Sequence, residues 1–178
     1  MKKRTFVMLL ALVLVFGAAV GGAFAWLQDS TAPVVNEFTV GDIDIDLTES
    51  SNLDLKIIPG KTIAKDPKVT VKANSEACWL FVKIEEANWP EKLTYAVADG
   101  WTALPGQTGV YYREVPATTA DTDFAVLKDN QVVVVNTLTK TEVQTMKDSA
   151  PKLTFTAYAV QKDNVADAAT AWSIATGT

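Results

Sequence analysis

Three aspartates at alternate positions could bind a metal ion. Asp42, Asp44 and Asp46 alternate with apolar residues, which places them on one face of a β-strand. Carboxylate oxygens are ligands that Ca²⁺ prefers, so one hypothesis is a calcium site. The other is the solvated face of a half-buried strand. We favour the second, because a straight strand spaces its carboxylates too widely to surround one ion.

The residue inventory limits enzymatic chemistry. The 178-residue sequence contains no histidine and one cysteine, Cys78. The absence of histidine excludes Ser-His-Asp and Cys-His catalysis of the usual kind and histidine-containing zinc motifs, and there is no Gly-rich phosphate loop. Because Cys78 lies in the apolar stretch 77–82, we predict a buried thiol rather than a reactive or intermolecularly bonded one. We predict no catalytic residue and no cofactor.

The first 25 residues have the organisation of a helical secretory signal peptide. Three basic residues at positions 2–4 precede an apolar run that ends in an Ala-x-Ala pattern at Ala23 and Ala25. We predict that a signal peptidase cleaves before Trp26. An uncleaved membrane anchor is the alternative, because residues 6–25 are long enough to span a bilayer.

The predicted mature chain is acidic. The sequence has 16 Lys and Arg, of which the three at positions 2–4 lie in the predicted signal peptide, against 21 Asp and Glu. The 13 that remain against 21 give the mature chain a net charge of −8. Nucleic acids and anionic membranes attract basic surfaces. We therefore predict a secreted protein that binds no nucleic acid and, once cleaved, no membrane.

Apolar residues alternate with period two over most of the remaining chain, which indicates β-strands. The predicted strands are residues 36–47, 53–58, 68–73, 78–85, 93–97, 110–115, 122–127, 131–135 and 152–161. In the first strand the apolar residues stand at even positions before Gly41 and at odd positions after it, which predicts a bulge at Gly41. In the last strand one face carries Leu153, Phe155, Ala157 and Ala159.

Two short helices interrupt this pattern. Thr139 and Glu142 have the spacing of a capping box, which predicts a helix extending to Lys147. Asn164 is the predicted cap of a second helix that ends near Ile174. The stripe predicted to pack on the sheets is Val165, Ala168, Ala169 and Trp172.

These elements predict an all-β fold for residues 26–178, an antiparallel sandwich of jelly-roll type with two short helices. The five tryptophans could form a carbohydrate platform. Trp79, Trp101 and Trp172 lie in apolar patterns, and we assign them to the core. Trp26 and Trp89 remain open to either interpretation.

Five segments carry a resemblance to a known family. They are Gly-Gly-Ala-Phe-Ala-Trp-Leu-Gln-Asp at residues 21–29, Asn-Glu-Phe-Thr-Val-Gly-Asp-Ile-Asp-Ile-Asp-Leu at 36–47, Ile-Pro-Gly-Lys-Thr-Ile-Ala-Lys-Asp-Pro at 58–67, Ala-Cys-Trp-Leu-Phe-Val-Lys-Ile at 77–84 and Leu-Thr-Phe-Thr-Ala-Tyr-Ala-Val-Gln at 153–161. In this joint order they resemble the camelysin/TasA-like proteins of Gram-positive bacteria.

The resemblance implies an exported jelly-roll protein of the cell surface or biofilm matrix, processed by a dedicated signal peptidase. In fibre-forming members the mature N-terminal segment inserts as a donor strand into a neighbouring subunit. The matching segment here is residues 26–40. Its apolar residues, the expected assembly strand, are Val34, Val35, Phe38 and Val40. The implied partners are other copies of the chain or related matrix proteins, in a homo- or hetero-fibre.

Two other functions stay open at this point. The name camelysin denotes a metallopeptidase, but in a chain without histidine such activity would need a metal site made of carboxylates alone. A monomeric surface module that binds a ligand or a matrix protein is the third hypothesis, and it would be favoured if the N-terminal segment pairs within its own subunit.

Overall fold

The structure, a computed structural model, describes residues 42–51 and 56–178. This part of the chain is mostly β, with short antiparallel sheets and two α-helices. The strands are β1 (Ile45–Thr48), β2 (Thr62–Ala64), β3 (Lys68–Val71), β4 (Cys78–Ala87), β5 (Leu93–Thr94), β6 (Thr102–Ala103), β7 (Val110–Val115), β8 (Thr122–Ala125), β9 (Gln131–Val134) and β10 (Lys152–Gln161). The helices are α1 (Lys140–Asp148) and α2 (Ala168–Thr176).

Three antiparallel sheets contain all ten strands. The largest has four strands in the order β10-β4-β7-β6, and the others have the orders β1-β3-β8 and β2-β9-β5. The longest pairing joins β4 to β10 over ten residue pairs, from Lys152 opposite Ala87 to Gln161 opposite Cys78. β4 is therefore the central strand of the largest sheet.

Alternation along β4 separates two cores. Cys78, Leu80, Val82 and Ile84 belong to the main core, whereas the intervening Trp79 and Phe81 belong to a second, aromatic cluster. Residues of opposite parity on a strand point to opposite faces of the sheet. One ten-residue strand thus supplies the centre of both cores.

The strand β10 follows the same division. Leu153, Phe155, Ala157 and Ala159 pack against the main core, which confirms the predicted shared face. Tyr158 and Val160 pack against the aromatic cluster on the other side. All of them are only partly buried, because β10 lies at the edge of its sheet.

Helix α2 covers the aromatic cluster, but its cap and its stripe differ from prediction. The predicted cap, Asn164, is wrong: it lies in a turn with φ +63°, and Asp167 caps the helix by accepting a 2.8 Å hydrogen bond from Thr170 N. Val165 precedes the helix and Ala169 is exposed. The buried stripe is Ala168, Ala171 and Trp172, so the helix begins about one turn later than its polar residues suggested.

Helix α1 confirms its predicted capping box. The side-chain oxygen of Thr139 accepts a hydrogen bond from Glu142 N at 3.2 Å, and the Glu142 carboxylate accepts one from Thr139 N at 2.7 Å. Two amides at the helix start that have no intrahelical partner are satisfied in this way.

Several strand boundaries differ from prediction. Residues 56–58 of the predicted strand 53–58 are not in a strand, and Thr62–Ala64 pairs with β9 instead. The predicted strand 93–97 shortens to Leu93–Thr94, with an isolated bridge at Val97. The two-residue β6 escaped prediction, because so short a segment shows no periodicity.

The signal peptide, the bulge at Gly41 and residues 36–41 of the predicted first strand lie outside the described residues. Residues 42–44 are described but are not in a strand, so the prediction is wrong there, and β1 begins at Ile45. The described residues belong to one compact unit, Val40–Thr178. Neither α1 nor α2 is long and apolar enough to cross a membrane.

Candidate assembly edge

The residues predicted for cleavage and assembly fall in the part of the chain that the structure leaves undescribed. They are Ala23, Ala25, Trp26, Val34, Val35, Phe38 and Val40. The geometry of the described residues bears on the surface such a segment could join, and on the other candidate sites.

The three aspartates are exposed, while Ile43 and Ile45 pack against the main core. The Asp46 carboxylate forms a 2.9 Å ion pair with Lys72 Nζ. Asp42 Oδ1 accepts a 2.8 Å hydrogen bond from Ile43 N. Across residues 42–51 and 56–178, no three acidic, cysteine or histidine side chains are grouped so as to hold a metal ion.

Cys78 is fully buried in β4, as predicted. Burial raises the pKa of its thiol to about 11, because the apolar surroundings disfavour the thiolate. The thiolate is the nucleophilic form. The thiol is therefore neutral and unreactive at neutral pH.

The tryptophans divide between core and surface. Trp79 and Trp172 are buried in the aromatic cluster, as predicted. Trp101 is half-buried at the margin of the main core, with the Arg113 guanidinium 5.4 Å from its ring centroid. Trp89 is also half-buried, and its Nε1 donates a 3.0 Å hydrogen bond to Leu93 O.

Within residues 42–51 and 56–178, the outer side of β10 has no hydrogen-bonded strand beside it, although Leu47 and Thr48 of β1 lie near its first residues. Among the described residues β10 pairs with β4 alone. Lys162 N donates a 2.8 Å hydrogen bond to Ala77 O. This bond shows which alternate residues of β10 form hydrogen bonds with β4. In an antiparallel pair every second residue bonds its partner. Leu153, Phe155, Ala157 and Ala159 therefore direct their amide N–H and C=O groups away from β4.

The composition of this edge favours addition of another strand. Between Lys152 and Lys162, the edge residues 153–161 contain no charged side chain and no proline. Proteins usually protect exposed edges with lysine, proline or a bulge in the strand itself. Here a lysine stands at each end, and residues 153–161 themselves contain neither a lysine nor a proline.

Apolar clefts flank the beginning of this edge. One, of about 320 Å³, lies between β10 and the sheet β2-β9-β5, and its apolar walls include Ile63, Leu93, Val132 and Leu153. A second, of about 310 Å³, is lined in part by Leu47, Pro67, Leu153 and Phe155. Leu153 borders both clefts. Because Leu153 packs against the main core, a strand added to β10 would find these apolar contacts on that face.

No family model, no curated protein and no solved structure matches this chain.

The open edge was missed by sequence reasoning, although β10 itself was predicted correctly. Its alternating pattern reveals a strand with two partly buried faces. Whether one or two strands flank it depends on pairings with residues more than 60 positions away, and no local pattern encodes those.

Proposed function

We propose that the chain is an exported structural protein of the cell surface or biofilm matrix that assembles into fibres by strand addition at β10. The observation that carries the proposal is the ten-residue edge with outward amides and an uncharged centre. A strand joining this edge gains main-chain hydrogen bonds, and alternate side chains set its register. The proposal includes a jelly-roll sandwich as the overall arrangement of the sheets.

The proposed donor is residues 26–40 of a neighbouring copy or of a related matrix protein. Val34, Phe38 and Val40 share one parity and would lie on one face of a strand, so the donor could offer three apolar side chains to the clefts beside Leu153. Pro33 lacks an amide N–H, which would limit how far pairing extends. Removal of a signal peptide before Trp26 would place this segment at the start of the mature chain.

The resemblance to camelysin/TasA-like proteins supports the same mechanism. The proposal assigns no peptidase activity, because the sequence contains no histidine to build a familiar zinc or nucleophilic site.

A single proline tests the acceptor edge. Ala157→Pro removes one outward N–H and leaves the hydrogen bonds to β4 in place, since proline is tolerated on the open side of an edge strand. We expect a folded monomer by circular dichroism and no fibres by electron microscopy. The control Ala157→Ser keeps the amide and should polymerise like the parent protein.

Deletion of residues 26–35 tests the donor and should also leave a folded monomer. Fibres formed equally well by the Ala157→Pro variant would refute β10 as the acceptor. Fibres formed by the truncated chain would refute the donor. A parent protein that stays monomeric across concentration and pH would favour the surface-module hypothesis.

A further inference from the structure

An open cleft lined by aromatic rings lies beside the loop that joins β4 to β5. Its volume is about 520 Å³, within the usual range for ligand sites, and its walls include Trp89, Tyr95, Tyr111 and Leu93. Trp89 and Leu93 also border the cleft beside β10. The two clefts therefore share a wall, but only the larger one contains several rings.

Two of the rings at this cleft, Trp89 and Tyr95, are held in place before any ligand arrives. Trp89 and Tyr95 meet edge to face, with centroids 5.9 Å apart and planes at 74°. The Trp89 indole N–H donates to Leu93 O at 3.0 Å. The Tyr95 hydroxyl donates to Glu86 Oε1 at 2.7 Å. A site with fixed side chains loses little conformational entropy on binding.

Two carboxylates give the cleft a negative potential. Glu86 and Glu91 both line it and are both exposed. In residues 42–51 and 56–178 neither forms an ion pair with a lysine or arginine, whereas neighbouring Glu85 is paired with Lys83 at 2.7 Å. Burial, and next the hydrogen bond to Glu86, raise the pKa of Tyr95. Its hydroxyl therefore stays protonated.

Electron-rich ring faces together with carboxylates recognise an organic cation. A cation within about 6 Å of an aromatic face is attracted by the ring quadrupole, by roughly 0.5–2 kcal/mol. Carboxylate oxygens accept N–H hydrogen bonds, which a primary ammonium donates and a quaternary one cannot. The apolar wall at Pro90 and Leu93 suits the methylene stem of a lysine.

We propose that this cleft binds the ammonium group of a lysine side chain on a basic partner polypeptide. Glu86 and Glu91 accept its hydrogen bonds, the faces of the cleft's aromatic rings attract its charge, and Pro90 and Leu93 contact its methylene stem. Binding at this cleft does not require strand addition at β10, so either proposal can be refuted without affecting the other.

The test measures binding of a fluorescent pentalysine peptide to the purified protein by anisotropy. We expect saturable binding that weakens with added salt, and none by the matched pentaglutamine peptide. Glu86→Gln/Glu91→Gln should weaken binding about tenfold, the scale expected for two exposed charge contacts.

The control variant is Glu85→Gln/Glu114→Gln. It removes the same two charges from carboxylates that already have lysine partners, and it should bind like the parent. If both double variants lose the same affinity for pentalysine, the effect comes from net charge alone and the proposed site is refuted. A third outcome would indicate a carbohydrate site instead. In that case the parent protein binds a neutral oligosaccharide but not pentalysine, and the Glu86→Gln/Glu91→Gln variant no longer binds the oligosaccharide.

Discussion

Gly109, in the turn that leads into β7, shows how one residue constrains the central sheet. Its φ is +74°, and a Cβ there would collide with the Ile84 carbonyl oxygen of β4. Ile84 N donates a 2.8 Å hydrogen bond to Gly109 O, so the close approach is part of the strand ladder. Only glycine satisfies the backbone angle and the contact together.

Gly109→Ala should therefore lower the free energy of unfolding by about 3 kcal/mol, from left-handed backbone strain and the clash together. Gly106 is a matched control: its φ is +77° and nothing lies within 4 Å of its Cβ position. Gly106→Ala should cost only the strain, about 1 kcal/mol. Urea unfolding measures both. Equal losses would show that the contact with Ile84 has no energetic weight.

The burial of a residue could be predicted from the sequence where it lies within a run of apolar residues. Cys78 is flanked by apolar residues of both parities, so burial followed from the pattern. Trp101 was assigned to the core from its apolar pattern, but it is only half-buried beside Arg113, because its surroundings depend on a distant strand. The cleft around Trp89 also escaped prediction, because its walls come from β4, β5, β7 and the loop between the first two.

At the scale of elements, helix α1 depends strongly on its cap, since Met146 is its one buried residue among those described. The hydrogen bonds from Thr139 N and then from its hydroxyl lower the pKa of Glu142. Both partners of the box thus stabilise the helix start at neutral pH.

Thr139→Ala should destabilise the protein by about 1 kcal/mol, the usual cost of a lost N-cap. It should also speed amide hydrogen exchange in α1 before it affects the sheets. Thr141→Ala, within the helix and exposed, is the control and should change stability little, because alanine favours helices. Unchanged exchange in α1 of the Thr139 variant would show that the cap is dispensable.

Long or strongly alternating elements were predicted within a few residues, and short ones were not. β7 and β10 match their predicted bounds, and α1 ends one residue beyond its predicted end. β2, β5 and β6 have three residues or fewer, so pairing with a neighbour decides their limits. Two polar residues close together, Asn164 and Asp167, could each cap α2 from the sequence, but only Asp167 has the extended backbone of an N-cap.

At the scale of the whole molecule, an ion-pair network crosses the sheet β1-β3-β8. Lys72 contacts Asp46 at 2.9 Å and Asp121 at 3.3 Å, and Lys68 contacts Asp123 at 2.7 Å. The pKa of Asp121 is lowered by the Ala73 amide and then by Lys72. The pKa of Asp123 is lowered by Lys68 and then by Thr70.

These shifts predict acid sensitivity. A carboxyl group with a lower pKa in the folded state contributes stability above its unfolded pKa, here 3.8. That contribution disappears as the pH falls through the folded value, because the unfolded chain binds more protons. Between pH 5 and 3, roughly the range around that value, urea midpoints of Asp123→Asn should fall less steeply than those of the parent. Asp129→Asn, in the exposed turn before β9, should follow the parent, and a parent-like slope in the Asp123 variant would contradict the prediction.

The long pairing of β4 with β10 also has a consequence for how the chain reaches its folded state. Lys152 lies opposite Ala87, 65 positions away, and Gln161 lies opposite Cys78, 83 positions away. Closing loops of this length precedes any gain from the contacts, which slows folding. Until residue 161 has left the ribosome, the nascent polypeptide cannot complete its largest sheet. The largest sheet therefore forms only after most of the chain has been synthesised.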